Sequence, residues 1–242
     1  MDILGVRFDD ITLDDAVDKA LYYIENGLPC RVVTPNAEIV YSAKNDEGFK
    51  NILNSSEIVL PDGIGIVYAS RILGKPISER VAGIEFAETL IKKLACTGEP
   101  LFLLGAKPGV AETAAEKLKD KYPGLVIAGT KDGYFDDDVE AAQEIKDSGA
   151  KAALVCLGSP KQEMFMASKR EMIGGVLMIG AGGSLDVFAG NVRRAPEGFR
   201  KLGLEWFYRL LCQPSRFWRM RKLPLFIFAV IREKNKRTEK NA

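Results

Sequence analysis

The strongest constraint on how this chain can fold is a regular alternation of short apolar runs and helix-period segments that begins at Pro100. The runs at 101–104, 125–128, 152–157 and 176–179 read as strands, and the segments 110–121, 139–148 and 161–172 between them read as helices. Strands separated by one helix each pair in parallel through crossovers. The expectation is therefore an α/β fold, a Rossmann-like, mostly parallel sheet flanked by helices. In such sheets ligands bind outside the carboxyl ends of the strands, so the strand ends are where chemistry is expected.

In the amino-terminal half, Ile58-Val59-Leu60 reads as a buried strand that Pro61 stops, delivering Asp62 into the glycine-rich turn Gly63-Ile64-Gly65. Asp62 either caps the helix that begins near Ile64 or presents its carboxylate to a crevice, and Pro61 with two glycines favours the second reading. Thr12 opens a first helix as a capping box, with Asp15 in place of the usual Glu. A short strand at 31–33 is broken by Thr34-Pro35-Asn36, where Thr34 and Asn36 serve as turn and cap residues or face the same crevice as Asp62. Arg80 falls in a loop between two helices, either solvated or close to a phosphate.

Two later corners add Gln162, in Gly158-Ser159-Pro160-Lys161-Gln162-Glu163, and Asp186, in Gly180-Ala181-Gly182-Gly183-Ser184-Leu185-Asp186. One continuous nucleotide-type pocket explains so many polar strand ends. The loop Gly105–Gly109 could also hold a phosphate on its backbone amides, although it matches neither a Walker A loop nor a dinucleotide motif. Gly63-Ile64-Gly65 suggests a nicotinamide-dependent oxidoreductase, but Tyr68 stands where the third glycine belongs. Asp136-Asp137-Asp138 reads as a helix start rather than a metal cluster.

The chain has no histidine, which removes Ser-His-Asp and Cys-His nucleophile systems and histidine metal sites. Acid–base chemistry falls to carboxylates, and no metal or other cofactor is expected. Cys30, Cys96, Cys156 and Cys212 are widely spaced, suggesting neither a zinc ribbon nor a disulfide framework and fitting a reducing cytoplasm. Met1-Asp2-Ile3 does not lead into a secretory signal.

Charge divides the chain into an α/β catalytic domain, 1–190, and a basic helical appendage, 191–242. The first carries 20 Lys and Arg against 29 Asp and Glu, and the second 14 against 4. Trp206, Phe207, Tyr208, Phe217 and Trp218 are interleaved with basic residues, and the apolar run 223–231 is far shorter than the roughly 20 residues a spanning helix needs. This pattern fits a segment lying on an anionic membrane surface better than one binding nucleic acid, or one merely packed on the domain. A core stripped of the appendage is expected to oligomerise.

Thr34-Pro35-Asn36, Pro61-Asp62-Gly63, Arg80-Val81-Ala82-Gly83, Gly158–Glu163, Gly180–Gly183 with Asp186, Arg194-Ala195-Pro196 and Gly203-Leu204-Glu205-Trp206 together resemble the WecG/TagA/CpsF family, glycosyltransferase family 26. The resemblance implies an inverting transferase, peripheral on the cytoplasmic face of the membrane, that moves a sugar from a UDP-sugar donor to a polyprenyl-diphosphate-linked sugar acceptor. The N-acetylmannosaminyltransferase branch is the most similar. It transfers N-acetylmannosamine from UDP-ManNAc to undecaprenyl-diphosphate-linked GlcNAc in wall teichoic acid linkage-unit synthesis. UDP-ManNAcA and UDP-glucose are the alternative donors.

By the same resemblance Asp62 is the catalytic base and Thr34 a nearby essential contact, while Asn36, Arg80, Gln162 and Asp186 line the substrate pocket. Arg209, Arg216 and Arg219 would face the departing diphosphate, making the appendage part of the active site as well as the anchor. Glu85 stands where many relatives have Asp.

Overall fold

The structure is a computed structural model and describes residues 1–201, 203–212 and 221–240. Among these residues six strands form one sheet: β3 (Cys30–Val33), β4 (Ile58–Val59), β5 (Leu101–Gly105), β6 (Ile127–Lys131), β7 (Ala152–Cys156) and β8 (Leu177–Gly180). Their order is β4-β3-β8-β7-β5-β6, and every pair is parallel. The expected α/β class is therefore observed. An antiparallel hairpin, β1 (Asp2–Ile3) with β2 (Val6–Arg7), precedes the sheet. Its strands are two residues long, too short for alternation to reveal them in the sequence.

Successive side chains of a strand point to opposite faces, so a sheet covered on both faces needs apolar residues at every position. Leu101 and Leu103 of β5 enter one core, and Phe102 and Leu104 enter the other. The first core is closed by α1 (Leu13–Glu25), α5 (Gly83–Thr97), α6 (Val110–Lys121) and α10 (Ser184–Phe188). The second is closed by α2 (Ala37–Ala43), α3 (Glu47–Asn54), α4 (Ile64–Ile72), α7 (Asp138–Asp147), α8 (Lys161–Ser168) and α9 (Arg170–Ile173).

Local chemistry starts these helices where the sequence indicates. Thr12 Oγ1 accepts from the Asp15 amide at 3.2 Å and donates to the Asp15 carboxylate at 2.6 Å. Asp137 accepts from the Val139 amide at 2.7 Å, which gives the acidic triplet its capping role. Two elements differ from the sequence reading. The strand expected at 125–128 lies at Ile127–Lys131: Leu125 reaches the core from the preceding turn, while the half-exposed edge strand carries polar Thr130 and Lys131. The helix expected at 161–172 is two helices, broken at Lys169.

The appendage contributes α11 (Glu197–Lys201), α12 (Glu205–Cys212) and α13 (Lys222–Lys240). Phe226 and Val230, four residues apart and hence on one side of α13, are fully buried in the second core, where the helix packs on α2 and α4. Glu233 accepts from the Leu4 amide at 3.0 Å, and Arg237 pairs with Asp2 at 3.0 Å, tying α13 to the amino-terminal hairpin.

Near the amino-terminal end of β3, Arg31 is 6% exposed, and its guanidinium is held by Glu57 at 3.6 Å and by the Ser55 carbonyl at 2.6 Å. Glu57 also accepts from the Arg31 amide at 2.7 Å and pairs with Arg170 at 3.0 Å. Burial lowers the Arg31 pKa and Glu57 opposes that shift. Glu57→Leu is therefore expected to strand a buried cation and cost about 3–5 kcal/mol. A urea midpoint unchanged from wild type would contradict this.

Candidate active site at the carboxyl ends of the strands

β3 and β8 are neighbours in the sheet, but the helices that follow them cover opposite faces: α2 joins the second core and α10 the first. The loops leaving the two strands diverge, which opens a crevice at their carboxyl ends. β4 lies on the other side of β3. The Leu60 amide donates to the Val33 carbonyl at 2.9 Å, extending the β3–β4 pairing until Pro61 ends it. The next helix is then capped by Gly63, at a φ of 85°, with no side-chain cap. A side chain at this φ would be strained, so glycine allows the turn. Gly63 has no side chain with which to cap, and Asp62, half-buried, immediately precedes it at the strand end.

For Asn36 the cap reading holds: Oδ1 accepts from the amides of Glu38 and Ile39 at 3.0 and 3.1 Å. That uses the oxygen of the side chain and leaves its amide nitrogen for a ligand. Asn36 also adjoins the Asp62 corner, since a Cβ on Gly63 would stand 3.8 Å from the Asn36 Cβ. Thr34 is 7% exposed, and its hydroxyl donates to the Gly180 carbonyl at 2.9 Å, joining the ends of β3 and β8. Gly83, opening α5, packs so closely on Thr34 that a Cβ there would come within 2.9 Å of Oγ1.

Across β8, Gln162 is 2% exposed and accepts from the Gly182 amide at 3.0 Å, while its Nε2 donates to Glu163 at 2.9 Å. A Cβ on Gly180 would lie 3.0 Å from Gln162 Nε2. Thr34 and Gln162 therefore hold the Gly180–Gly183 turn from its two sides, and α10, which carries Asp186, starts where that turn ends. Burial raises the Glu163 carboxyl from its ordinary value, while the bond from Gln162, its own amide and the Ser159 hydroxyl pull it down. Glu163 Oε2 is buried and has no hydrogen-bond partner among the described residues. Cys156, at the end of β7, is no nucleophile, because burial pushes its thiol up to about 12.

Arg80 is not a solvated loop arginine. Its guanidinium is 3.5 Å from Glu85 and 3.6 Å from Glu205, and Arg194 also pairs with Glu85. Glu205 opens α12, so this network fastens that helix to Arg80 and to the start of α5. A Cβ on Gly203 would stand 2.8 Å from Ile64, placing the start of α12 against the Asp62 corner. Of the three appendage arginines singled out in the sequence, Arg209 lies on α12 and its side chain is not described, while Arg216 and Arg219 lie outside the described residues.

A cleft of about 280 Å³ lined by Ile84, Glu88, Lys117, Lys121, Phe188 and Arg194 adjoins this network through Arg194. A groove of about 730 Å³ lies along the outer side of α8, lined by Met164 and Phe165. Neither is lined by Thr34, Asn36, Asp62, Gln162 or Asp186. Residue-by-residue reading of the sequence missed Glu163, Arg194 and Glu205 as partners at the site, although all three stand in the motifs that carried the family resemblance. Their roles depend on residues distant in the chain.

The sequence profile described as the glycosyl transferase WecG/TagA/CpsF family matches residues 1–240. The chain is 38% identical over 218 residues, 90% of its length and 85% of the relative's, to a Bacillus subtilis protein named N-acetylglucosaminyldiphosphoundecaprenol N-acetyl-beta-D-mannosaminyltransferase. Bacillus spizizenii and Staphylococcus aureus proteins of the same name are 38% identical over 87% and 35% identical over 98% of this chain, which spans 82% and 94% of their lengths. The motifs that line the crevice, the parallel sheet that assembles them and these matches along nearly the whole chain agree: the protein belongs to the WecG/TagA/CpsF family of glycosyl transferases.

Proposed function

We propose that the protein transfers N-acetylmannosamine from UDP-ManNAc to undecaprenyl-diphosphate-linked GlcNAc, the acceptor named for its relatives, in making the linkage unit of wall teichoic acid. The observation that carries this reading is the Thr34–Gly180–Gln162 clamp at the strand ends, in a chain that matches those transferases almost end to end. The acceptor hydroxyl gives its proton to Asp62 as its oxygen bonds the anomeric carbon. The bond from that carbon to the UDP oxygen breaks on the opposite face, inverting the configuration. Negative charge develops on the departing diphosphate, and arginines oppose it. Arg80 meets that charge from a position already shared with Glu85 and Glu205, so donor binding exchanges carboxylate partners for phosphate ones.

A lipid-borne acceptor requires the protein at a bilayer surface. Among the described residues no helix is long and apolar enough to cross a membrane. The outer side of α13 exposes Leu225, Phe228 and Ile231, and α12 exposes Trp206, Phe207 and Leu211, among the cations of the appendage. This composition supports peripheral binding at the inner face, with apolar side chains inserted and basic ones on anionic headgroups.

The purified protein, given UDP-ManNAc and a soluble short-chain diphosphate-GlcNAc acceptor, is expected to yield the disaccharide and UDP. UDP-ManNAcA, UDP-glucose and NADH oxidation serve as competing assays. Transfer from UDP-glucose alone, or NADH oxidation without sugar transfer, would overturn the reading. We further propose that no resident metal takes part, since arginines supply the counter-charge, and activity is expected to survive excess chelator. Loss on chelation with rescue by magnesium or manganese would point to Asp62 and Asp186 as ligands.

A further inference from the structure

We propose that Glu163 is a positioning residue for sugar transfer: its buried carboxyl selects one orientation of the Gln162 side-chain amide and thereby holds the Gly180–Gly183 turn against Thr34. A glutamate at the third position of a helix ordinarily complements the helix dipole from solvent. Glu163 is instead 1% exposed, and its Oε1 accepts from Gln162 Nε2 at 2.9 Å. The two ends of a glutamine amide have nearly the same shape but opposite hydrogen-bonding character. The Gly182 amide can only donate, so it requires the oxygen end, and the Glu163 oxygen accepts from the nitrogen end. A flipped Gln162 would place N–H against N–H and oxygen against oxygen, losing both bonds.

Oε2, which has no hydrogen-bond partner among the described residues, fits this role. A buried carboxylate with one unsatisfied oxygen is costly, whereas a neutral carboxyl keeps Oε1 as the acceptor that Gln162 needs and carries its proton on Oε2. The influences on the carboxyl are burial, Gln162, its own amide and Ser159, none of them a charged side chain. Glu163 thus acts on the Gly180–Gly183 turn through Gln162.

This inference rests on the transfer reading for its kinetic test, and a second measurement frees it from that reading. Gln162→Ala and Glu163→Ala are each expected to lower kcat/KM by about tenfold or more, whereas the double variant falls no further than Gln162→Ala alone. Effects that multiply would mean that Glu163 acts through general structure, and would overturn the proposal. Glu163→Gln, which keeps a neutral acceptor at the same place, is expected to restore most of the loss. The rate of hydrogen exchange of the Gln162 side-chain amide, assigned by its absence from Gln162→Ala, requires no turnover. Slow exchange in wild type and Glu163→Gln, with fast exchange in folded Glu163→Ala, supports the proposal; slow exchange in all three overturns it. If Glu163→Ala does not fold, Glu163→Met fills the volume and carries the same comparisons. Absence of sugar transfer by wild type would fail the functional reading while leaving amide exchange to decide Glu163.

Discussion

Asp62→Asn is expected to leave the protein folded and able to bind a UDP-sugar while slowing turnover by about 100-fold or more, the scale for loss of a general base. The side chains are nearly isosteric, and the turn beneath Asp62 is built by Pro61 and by Gly63, so the substitution removes basicity without removing geometry. A chain without histidine leaves carboxylates to take the acceptor proton, and Asp62 is the one we propose, three residues past the end of β4. Single-turnover rates at saturating donor and acceptor separate the chemical step from binding. Wild-type turnover in the folded variant would end the assignment. Thr34→Ala is expected to impair turnover as well, by releasing the Gly180 carbonyl and opening a gap against Gly83. A fully active Thr34→Ala would return that residue to turn chemistry.

The other large effect is expected from deleting residues 191–242. The deletion uncovers the second core where Phe226 and Val230 are fully buried, so the remaining domain is expected to aggregate or oligomerise. It also removes Glu205 from Arg80 and Gly203 from Ile64, along with the three arginines proposed to face the diphosphate. Turnover on a soluble acceptor, which needs no membrane, is therefore expected to collapse; an appendage that only anchors would leave it intact.

Point variants divide the two roles. Arg209→Ala, Arg216→Ala and Arg219→Ala are expected to reproduce part of the collapse while retaining vesicle binding, and full activity of all three would reduce the appendage to an anchor. Phe228→Ser with Leu225→Ser, on the exposed side of α13, is expected to release the protein from anionic vesicles. Binding in wild type should weaken with salt, because each basic residue near the surface contributes roughly 1 kcal/mol of screened attraction. Salt-independent binding would contradict the electrostatic part of this account.

The α/β class is legible from the chain alone, because the period of apolar residues is a local property that each strand and helix shows without its neighbours. So are the caps at Thr12, Asn36 and Asp137, each made within three residues along the chain. Polar residues at strand ends were legible for the same reason: Thr34 and Gln162 both hold the turn after β8, and Asn36 adjoins the corner that carries Asp62. Asp62, in contrast, has two local readings, cap and base, and turnover of Asp62→Asn is the measurement that separates them.

Strand order was decided by the tertiary structure, since alternation says that strands are parallel but not which are neighbours. β8 lies between β3 and β7, so the Thr34 hydroxyl meets the Gly180 carbonyl 146 residues away. The same insertion buries Gln162 and Glu163, residues that polarity alone would assign to an exposed helix start. Docking of the appendage likewise turned Arg80 from a loop arginine into the partner of Glu205. Side-chain pairing across a sheet depends on which elements pack together, and that information is absent from local periodicity.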